Sequence, residues 1–330
     1  MKDRRKIIGF VLIALVIVLA VLWIFSKNGT TTQSDQTTVR YAAPLTIAAA
    51  PVYVAAAQGF WAEEDLDVQV TYFDSGRKAL DALLSNDAEV MSVSETPPLR
   101  AYLAGSKINT ITTVAEHKEA KMTINKDKVN TAEDIKGKKI GTVAGTNSDY
   151  YMYRWLEAHD IKTDEVEIIQ LDAAALSQAF VQGDVDVMFA WEPYNYNASS
   201  KVPNTSESWP TELYSGRHTI NMNTAYLGEN PEVAKKIIKG FIKAEEYIKN
   251  NPEEAKRIVM ERTNVSEDAL NALWSEYTYK VQLDDQFSTI LEEEADWISS
   301  SDNSDSTIDP TKMIDTTFLS AVDAGRVGSR

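Results

Sequence analysis

The chain has 330 residues, of which 44% are apolar, and its formal net charge is −16 at pH 7. This length and apolar content predict a packed interior divided between two lobes. The negative charge argues against a nucleic-acid partner, because phosphate contacts need clustered Lys and Arg. Cysteine is absent, and the three histidines (His117, His159 and His218) lack metal-ligand spacing. We therefore expect neither a metal site nor a cofactor.

The amino-terminal segment carries an uncharged apolar run at residues 7–25, preceded by a basic stub. As a helix this run would be about 28 Å long, close to the hydrocarbon core of a bilayer. The basic stub predicts that the amino terminus stays cytoplasmic and that the rest lies outside the membrane. A cleaved signal peptide is the alternative, but it would have a shorter apolar region. We predict an uncleaved transmembrane anchor within residues 1–25.

A polar segment follows the predicted anchor. Residues 26–38 contain no apolar side chain, which is typical of a flexible tether. We assign residues 26–43 to this tether. The predicted arrangement is a single-pass protein of the cell membrane, with a domain tethered to the outer face of that membrane.

From residue 44 onward, β-rich runs alternate with helical patterns. This alternation predicts an α/β fold of mainly parallel sheets flanked by helices. The predicted strands are 45–50, 66–73, 89–94, 109–116, 139–143, 166–171 and 185–190. The predicted helices are 52–64, 77–85, 98–105, 147–159, 173–183, 231–250, 252–263, 266–277 and 284–299.

Two strand–helix–strand units within this region resemble one another. Each has an aspartate after one strand, a Val-Met pair in the next strand and a glutamate at the end of that strand. These residues are Asp74, Met91 and Glu95 in the first unit and Asp172, Met188 and Glu192 in the second. The shared residues favour real internal similarity, although any two such units look broadly alike.

Four segments in order are similar to the solute-binding proteins of ATP-driven importers, in the nitrate/sulfonate/taurine and thiamine-pyrimidine-precursor family. They read AAAQGFWAEEDLDVQV, DIKGKKIGTVAGTNS, GDVDVMFAWEPY and ENPEVAKKIIKGFIKAEEYIKNNPEEA. The chain departs from that family in lacking a lipid-bearing cysteine. The resemblance implies a two-lobed, type II periplasmic-binding-protein fold in which crossover strands join the lobes and a ligand lies between them.

The resemblance also suggests lobe boundaries. Residues 44–122 would begin lobe 1, 123–218 would form lobe 2, and 219–330 would return to lobe 1. We expect the crossings near residues 122–125 and 218–222.

Candidate ligand-binding residues follow from two rules. Parallel sheets bind ligands at the carboxyl ends of their strands, and helix amino termini favour anions. These rules select Tyr53, Ser75, Ser94, Glu95, Thr96, Thr146, Asn147, Ser148, Trp191 and Glu192. Helix capping by the small polar residues and simple packing of the tryptophan remain alternatives.

The resemblance implies an extracytoplasmic binding protein that delivers a small molecule to an ABC permease and its ATPase. Glu95 and Glu192, if they lay at the cleft, would favour ligands with a cationic or N–H-rich part. Amino-sulfonates and aminopyrimidines therefore rank above nitrate. We expect a monomer without enzymatic activity. The alternatives are a carboxylate-based lyase on the same fold and a sensory ectodomain that acts with a partner.

Overall fold

The computed structural model describes residues 36–118, 120–207, 213–301 and 307–328. Thr38–Arg330 form one compact unit. The predicted anchor at residues 7–25 lies outside the described residues, as do residues 26–35 of the predicted tether. Within the described ranges, no helix is long and apolar enough to cross a membrane.

The strands of the described residues lie in two sheets. The strands are β1 (Thr37–Pro44), β2 (Leu66–Phe73), β3 (Val90–Ser94), β4 (Ile108–His117), β5 (Lys121–Asn125), β6 (Lys139–Thr142), β7 (Glu167–Gln170), β8 (Val187–Ala190), β9 (Thr205–Glu207), β10 (Gly216–Asn223) and β11 (Tyr277–Gln282). A six-stranded sheet has the order β11-β4-β10-β3-β1-β2, and a five-stranded sheet has the order β7-β6-β8-β5-β9. Each sheet forms the centre of one lobe.

Helices follow most strands, as the alternating sequence pattern predicts. They are α1 (Ala50–Gln58), α2 (Gly76–Leu84), α3 (Thr96–Leu103), α4 (Asn147–Ala158), α5 (Ala173–Gln182), α6 (Tyr194–Ser199), α7 (Thr224–Glu229), α8 (Pro231–Asn250), α9 (Pro252–Thr263), α10 (Glu267–Leu273), α11 (Asp285–Ser301) and α12 (Thr317–Asp323). The predicted helices at 231–250 and 252–263 are confirmed as α8 and α9.

Strand directions correct the expectation that both sheets are mainly parallel. In the second sheet β6 pairs in parallel with β7 and β8, and β5 runs antiparallel to β8 and β9. In the first sheet β1 and β3 are parallel, but β10 runs antiparallel to β3 and β4, and β11 runs antiparallel to β4. The first sheet is mixed because the returning chain inserts β10 between strands that point the other way.

The chain passes between the sheets twice. It leaves the first sheet between β4 and β5 and returns between β9 and β10. The predicted crossings at 122–125 and 218–222 lie just beyond these points, inside β5 and β10. The predicted boundaries after residues 122 and 218 therefore cut through two strands, because an apolar strand pattern does not reveal which sheet the strand joins.

The start of the first lobe also differs from the sequence prediction. The segment 45–50 is not a strand: it contains a short 3₁₀ helix and the start of α1. Alanine favours helix, and Pro51 suits a first turn. The strand is β1, in which Val39, Tyr41 and Ala43 are fully buried. The predicted tether therefore extends too far, since its last residues belong to the sheet.

An aromatic cluster fixes α8 against the first sheet. Trp61 stacks on Tyr41, with centroids 5.6 Å apart, and meets Phe241 edge-on at 5.2 Å. Its Nε1 donates to Ile237 O at 3.2 Å. A Cβ added at Gly240 would lie 2.2 Å from the indole, so only glycine lets the helix approach this closely. The cluster anchors the carboxy-terminal helices to the lobe that the chain builds first.

Candidate functional site

A pocket of about 410 Å³ lies between the two lobes. Its walls come from segments that follow the carboxyl ends of β2, β6, β7 and β8. The lining residues are Asp74, Ser75, Arg77 and Lys78 from the first lobe, and Val143, Ala144, Thr146, Gln170, Leu171, Asp172, Ala173, Ala174, Trp191 and Tyr194 from the second. This is the strand-end crevice that the rule for parallel sheets predicts.

A smaller chamber of about 30 Å³ adjoins the pocket. The two cavities share Asp74, Arg77, Thr146 and Trp191. The chamber is otherwise lined by the end of β3, the starts of α3 and α4, and strand β10. Its further lining residues are Pro44, Leu45, Thr46, Gly76, Val93, Ser94, Pro97, Asn147 and His218. A ligand in the pocket could therefore extend a compact group into the chamber.

Helix amino termini converge on these cavities. Ser75 caps α2, accepting from Lys78 N at 3.4 Å. Thr146 precedes α4, but its hydroxyl donates to Val143 O at 2.7 Å and does not cap the helix. Asp172 precedes α5, again without a side-chain cap. Uncapped first-turn N–H groups favour a bound anion.

Glycine brings α2 close to the chamber. A Cβ at Gly76 would lie 2.2 Å from Val93 Cγ2, so a larger residue would push the helix away from β3. The sequence DSGRK thus combines an acidic residue, a cap, a small residue and two cations in one turn. Close packing of this turn places both cations at the cleft.

The pocket holds charges of both signs. Lys78 Nζ donates to Asp74 Oδ2 at 2.6 Å, and this contact raises the pKa of Lys78, with Asp172 contributing through its charge. Arg77 has no hydrogen-bond or ion-pair partner in the part of the chain that the structure describes, and the carboxylate of Asp172 has none there either. The pocket therefore offers an uncommitted cation on one lobe and an uncommitted anion on the other.

Five of the ten predicted residues line these cavities: Ser75, Ser94, Thr146, Asn147 and Trp191. Asn147 Nδ2 donates to Ser94 Oγ at 3.4 Å, so the two lobes also touch here. Trp191 forms part of both cavity walls, as its place at the end of β8 suggested.

Three other predicted residues are buried and line neither cavity. The hydroxyl of Tyr53 donates to Pro44 O at 2.8 Å and accepts from Thr46 N at 3.0 Å, which fixes the turn after β1. Thr96 and Ser148 are fully buried at the starts of α3 and α4. Their contact with a ligand remains a prediction.

Glu95 is also absent from the cavity walls. Its carboxylate is fully buried and accepts hydrogen bonds from Arg217 N at 2.8 Å and from the hydroxyl of Tyr214. Burial raises the pKa of Glu95. The side chain therefore holds the segment that returns to the first sheet.

Glu192 holds the other crossing. It is fully buried, accepts from Tyr196 N at 3.0 Å and forms an ion pair with Lys121 Nζ at 3.2 Å. Lys121 begins β5 and also donates to Glu276 in the first lobe at 2.6 Å. The argument that two cleft glutamates select a cationic ligand is therefore wrong, and the lyase alternative loses the substrate contact that it required of Glu95 or Glu192.

Sequence reasoning missed several charged or polar lining groups, among them Arg77, Lys78, Asp172 and His218. Arg77 and Lys78 were assigned only to a helix, and Asp172 only to the internal similarity. A signal for Asp172 was present, because its counterpart Asp74 directly precedes Ser75, which was predicted to lie at the cleft. His218 was assigned to a crossing strand, and nothing in the neighbouring sequence indicated that it would line a cavity. No group of three or more His, Cys, Asp or Glu side chains is placed to hold a metal ion within the described residues.

Two α/β lobes that meet at a strand-end cleft define the periplasmic-binding-protein fold. The chain belongs to the NMT1/THI5-like family, whose family model matches residues 46–255. This confirms the resemblance stated from the sequence.

The relatives that match this chain in sequence are also named as binding proteins. The chain is 29% identical to the taurine-binding periplasmic protein of Escherichia coli over 61% of this chain and 64% of that protein. It is 24% identical to a protein of Bacillus subtilis named for binding aliphatic sulfonates, over 82% of this chain and 83% of the relative. The match to binding proteins of Brucella spans only 61% of their length.

Among solved structures, the alkanesulfonate-binding protein SsuA of Xanthomonas axonopodis pv. citri, bound to MOPS, superposes with a TM-score of 0.74 at 15% identity. The alignment covers 85% of this chain and 99% of that one. At this identity the superposition shows the shared fold.

Proposed function

We propose that the protein is the extracytoplasmic solute-binding component of an ABC importer, and that it captures a small amino-sulfonate of the taurine type between its lobes. One observation carries this proposal: Arg77 and Asp172 lie on opposite lobes of one pocket. Neither side chain has a hydrogen-bond or ion-pair partner in the described residues. The names of the Escherichia coli and Bacillus subtilis relatives support the sulfonate class.

The chemistry of such a ligand matches both halves of the pocket. A sulfonate is ionised at every physiological pH, and a guanidinium can bind two of its oxygens at once. The uncapped start of α4 offers N–H groups to the same anion. An ammonium group at the other end of the ligand would pair with Asp172.

Other ligand classes satisfy only one half of the site. Nitrate would use Arg77 but leave the carboxylate of Asp172 without a cation. An aminopyrimidine would use Asp172 but leave Arg77 without an anion. We therefore rank taurine first, simple alkanesulfonates second, and aminopyrimidines and nitrate last.

A calorimetric titration of the full-length chain in detergent tests the ranking. Taurine and propane-1-sulfonate form a matched pair, since a methyl group replaces the ammonium. We expect taurine to bind about tenfold more tightly, because Asp172 gains a charged partner. Binding of nitrate or an aminopyrimidine, with neither sulfonate binding, would refute the proposal.

Delivery and location belong to the same proposal. Residues 7–25 would hold the binding unit at the outer face of the cell membrane, where it would act as a monomer and hand its ligand to a permease without chemical change. Membrane fractionation with external protease tests this arrangement. A binding unit that stays protected in intact cells would contradict it, as would turnover of taurine detected by mass spectrometry.

A further inference from the structure

The small chamber contains an imidazole that has no role in the ligand contacts proposed above. His218 lies in β10, between Ser94 of β3 and Ala115 of β4. Its side chain is fully buried, yet it lines the chamber. Neither ring nitrogen has a hydrogen-bond partner among the described residues.

The protonation state of this imidazole follows from its burial. Burial lowers the pKa of His218 to about 3. The ring is therefore neutral at physiological pH and presents one N–H donor and one acceptor nitrogen. A neutral N–H can donate to an anion without bringing a second buried charge into the protein.

The neighbouring polar groups already have partners. Ser94 Oγ lies 3.3 Å from His117 Nε2 and accepts from Asn147 Nδ2. His218 differs from these neighbours, because both of its polar atoms are left unsatisfied. An apolar side chain would fill the same space without that loss of stability, so simple packing does not explain a histidine here.

The chamber opens to the pocket through residues that both cavities share, including Arg77 and Thr146. We propose that His218 is a ligand-contacting residue, whose ring N–H donates to one oxygen of the sulfonate while that group occupies the small chamber. The opposite end of the ligand then lies in the larger pocket, beside Asp172. This assignment rests on the proposed function, and it extends that function by fixing which end of the ligand enters first.

Two substitutions separate ligand contact from a structural role. In the full-length chain in detergent, His218→Leu removes both unsatisfied atoms, so the melting temperature without ligand should stay the same or rise. Its affinity for taurine should fall about 10- to 100-fold, because the sulfonate loses a donor. His218→Gln keeps a donor and an acceptor, and should bind more tightly than the leucine variant. Unchanged affinity in His218→Leu would overturn the assignment.

A spectroscopic measurement keeps the test decisive even if a variant fails to fold. The chain has three histidines, so selective ¹⁵N-histidine labelling gives few imidazole signals. Saturating taurine should shift the ring-nitrogen signals of His218. His159 is the internal control, because its Nδ1 donates to Trp155 O at 2.7 Å outside either cavity.

The outcomes distinguish the two proposals. If taurine binds and the signals of His218 stay unchanged, the ligand contact is wrong and the proposed function stands. If neither taurine nor propane-1-sulfonate binds, both proposals fail together.

Discussion

The two similar units of this chain use equivalent acidic residues in different electrostatic settings. Asp74 and Asp172 both line the pocket, from opposite lobes. Asp74 pairs with Lys78, four residues later in the first turn of α2, whereas the residue four positions after Asp172 is Leu176, which cannot pair. The first lobe thus neutralises its aspartate and adds a cation, while the second lobe leaves its carboxylate for a ligand.

The glutamates that end the two units diverge in the same way. Glu95 is held by the neutral donors of Tyr214 and Arg217 N, whereas Glu192 faces the ammonium of Lys121. Internal similarity therefore predicts where a carboxylate lies in the fold, but its partner determines what the carboxylate does.

The largest expected effect concerns the glutamates. Glu192→Gln removes the negative charge next to Lys121, whose side chain is only 7% exposed. We expect a loss of about 3 kcal/mol in the free energy of unfolding, because the ammonium keeps only Glu276 and the N–H of Tyr196 also loses a charged acceptor. Glu95→Gln is the matched variant and should cost only about 1 kcal/mol, since its partners are neutral. Chemical unfolding measures both, and equal losses would contradict the contrast.

The next largest effect concerns the cation of the first lobe. Arg77→Gln should weaken taurine and propane-1-sulfonate alike, by about 50-fold, because both ligands lose the same charged donor. Calorimetry measures the two affinities. Arg257→Gln is the control, since Arg257 pairs with Glu254 and Glu261 on α9 and lines no described pocket. A loss confined to taurine would mean that Arg77 does not bind the sulfonate.

A smaller effect should separate the two aspartates. Asp172→Asn should weaken taurine about tenfold and leave propane-1-sulfonate unchanged, because only taurine carries an ammonium. Asp74→Asn should change the taurine affinity less, since Asp74 already pairs with Lys78. The same titrations give both values. If Asp74→Asn has the larger effect, the assignment of the free carboxylate to the second lobe is wrong.

The last expected effect is a dependence of stability on pH. Glu294 of α11 is fully buried beside Glu95, and burial together with that neighbouring charge raises its pKa well above the usual range. The folded state keeps this proton where the unfolded state has lost it, so stability falls as pH rises from the unfolded pKa through the folded one. Glu294→Gln stays neutral at every pH and should lose that slope.

Thermal unfolding at pH 5 and pH 8 measures this effect. The stability of Glu294→Gln relative to the unaltered chain should be greater at pH 8 than at pH 5. An equal difference at both pH values would mean that Glu294 is ionised in the folded protein.

Much of the fold was predictable because it follows from local pattern. The long amphipathic stripe of α8 and the Asn-Pro step before α9 set those helices without reference to distant residues. Strand β11 was missed because its alternating Tyr277 and Val281 follow directly on a helical pattern. Strand β1 was missed because two neighbouring segments, 37–44 and 45–50, could each have formed the first strand, and the local pattern did not show which one pairs in the sheet.

The same distinction between local pattern and distant contacts holds for the site residues. Thr146, Asn147 and Trp191 were found because the ends of parallel strands meet at one edge. The burial of Glu95 and Glu192 could not be read locally, since it depends on Tyr214 and Lys121, which other parts of the chain bring to them. Sequence thus located the cleft more readily than it located the charges that face it.

Lys121 touches a carboxylate on each lobe, at 3.2 Å to Glu192 and 2.6 Å to Glu276. Any rotation of one lobe about an axis far from this ammonium would pull at least one of these oxygens away, whereas rotation about an axis through it would preserve both distances. Opening and closing of the cleft about an axis through Lys121 should therefore keep both contacts, whereas sliding one lobe past the other should stretch at least one of them.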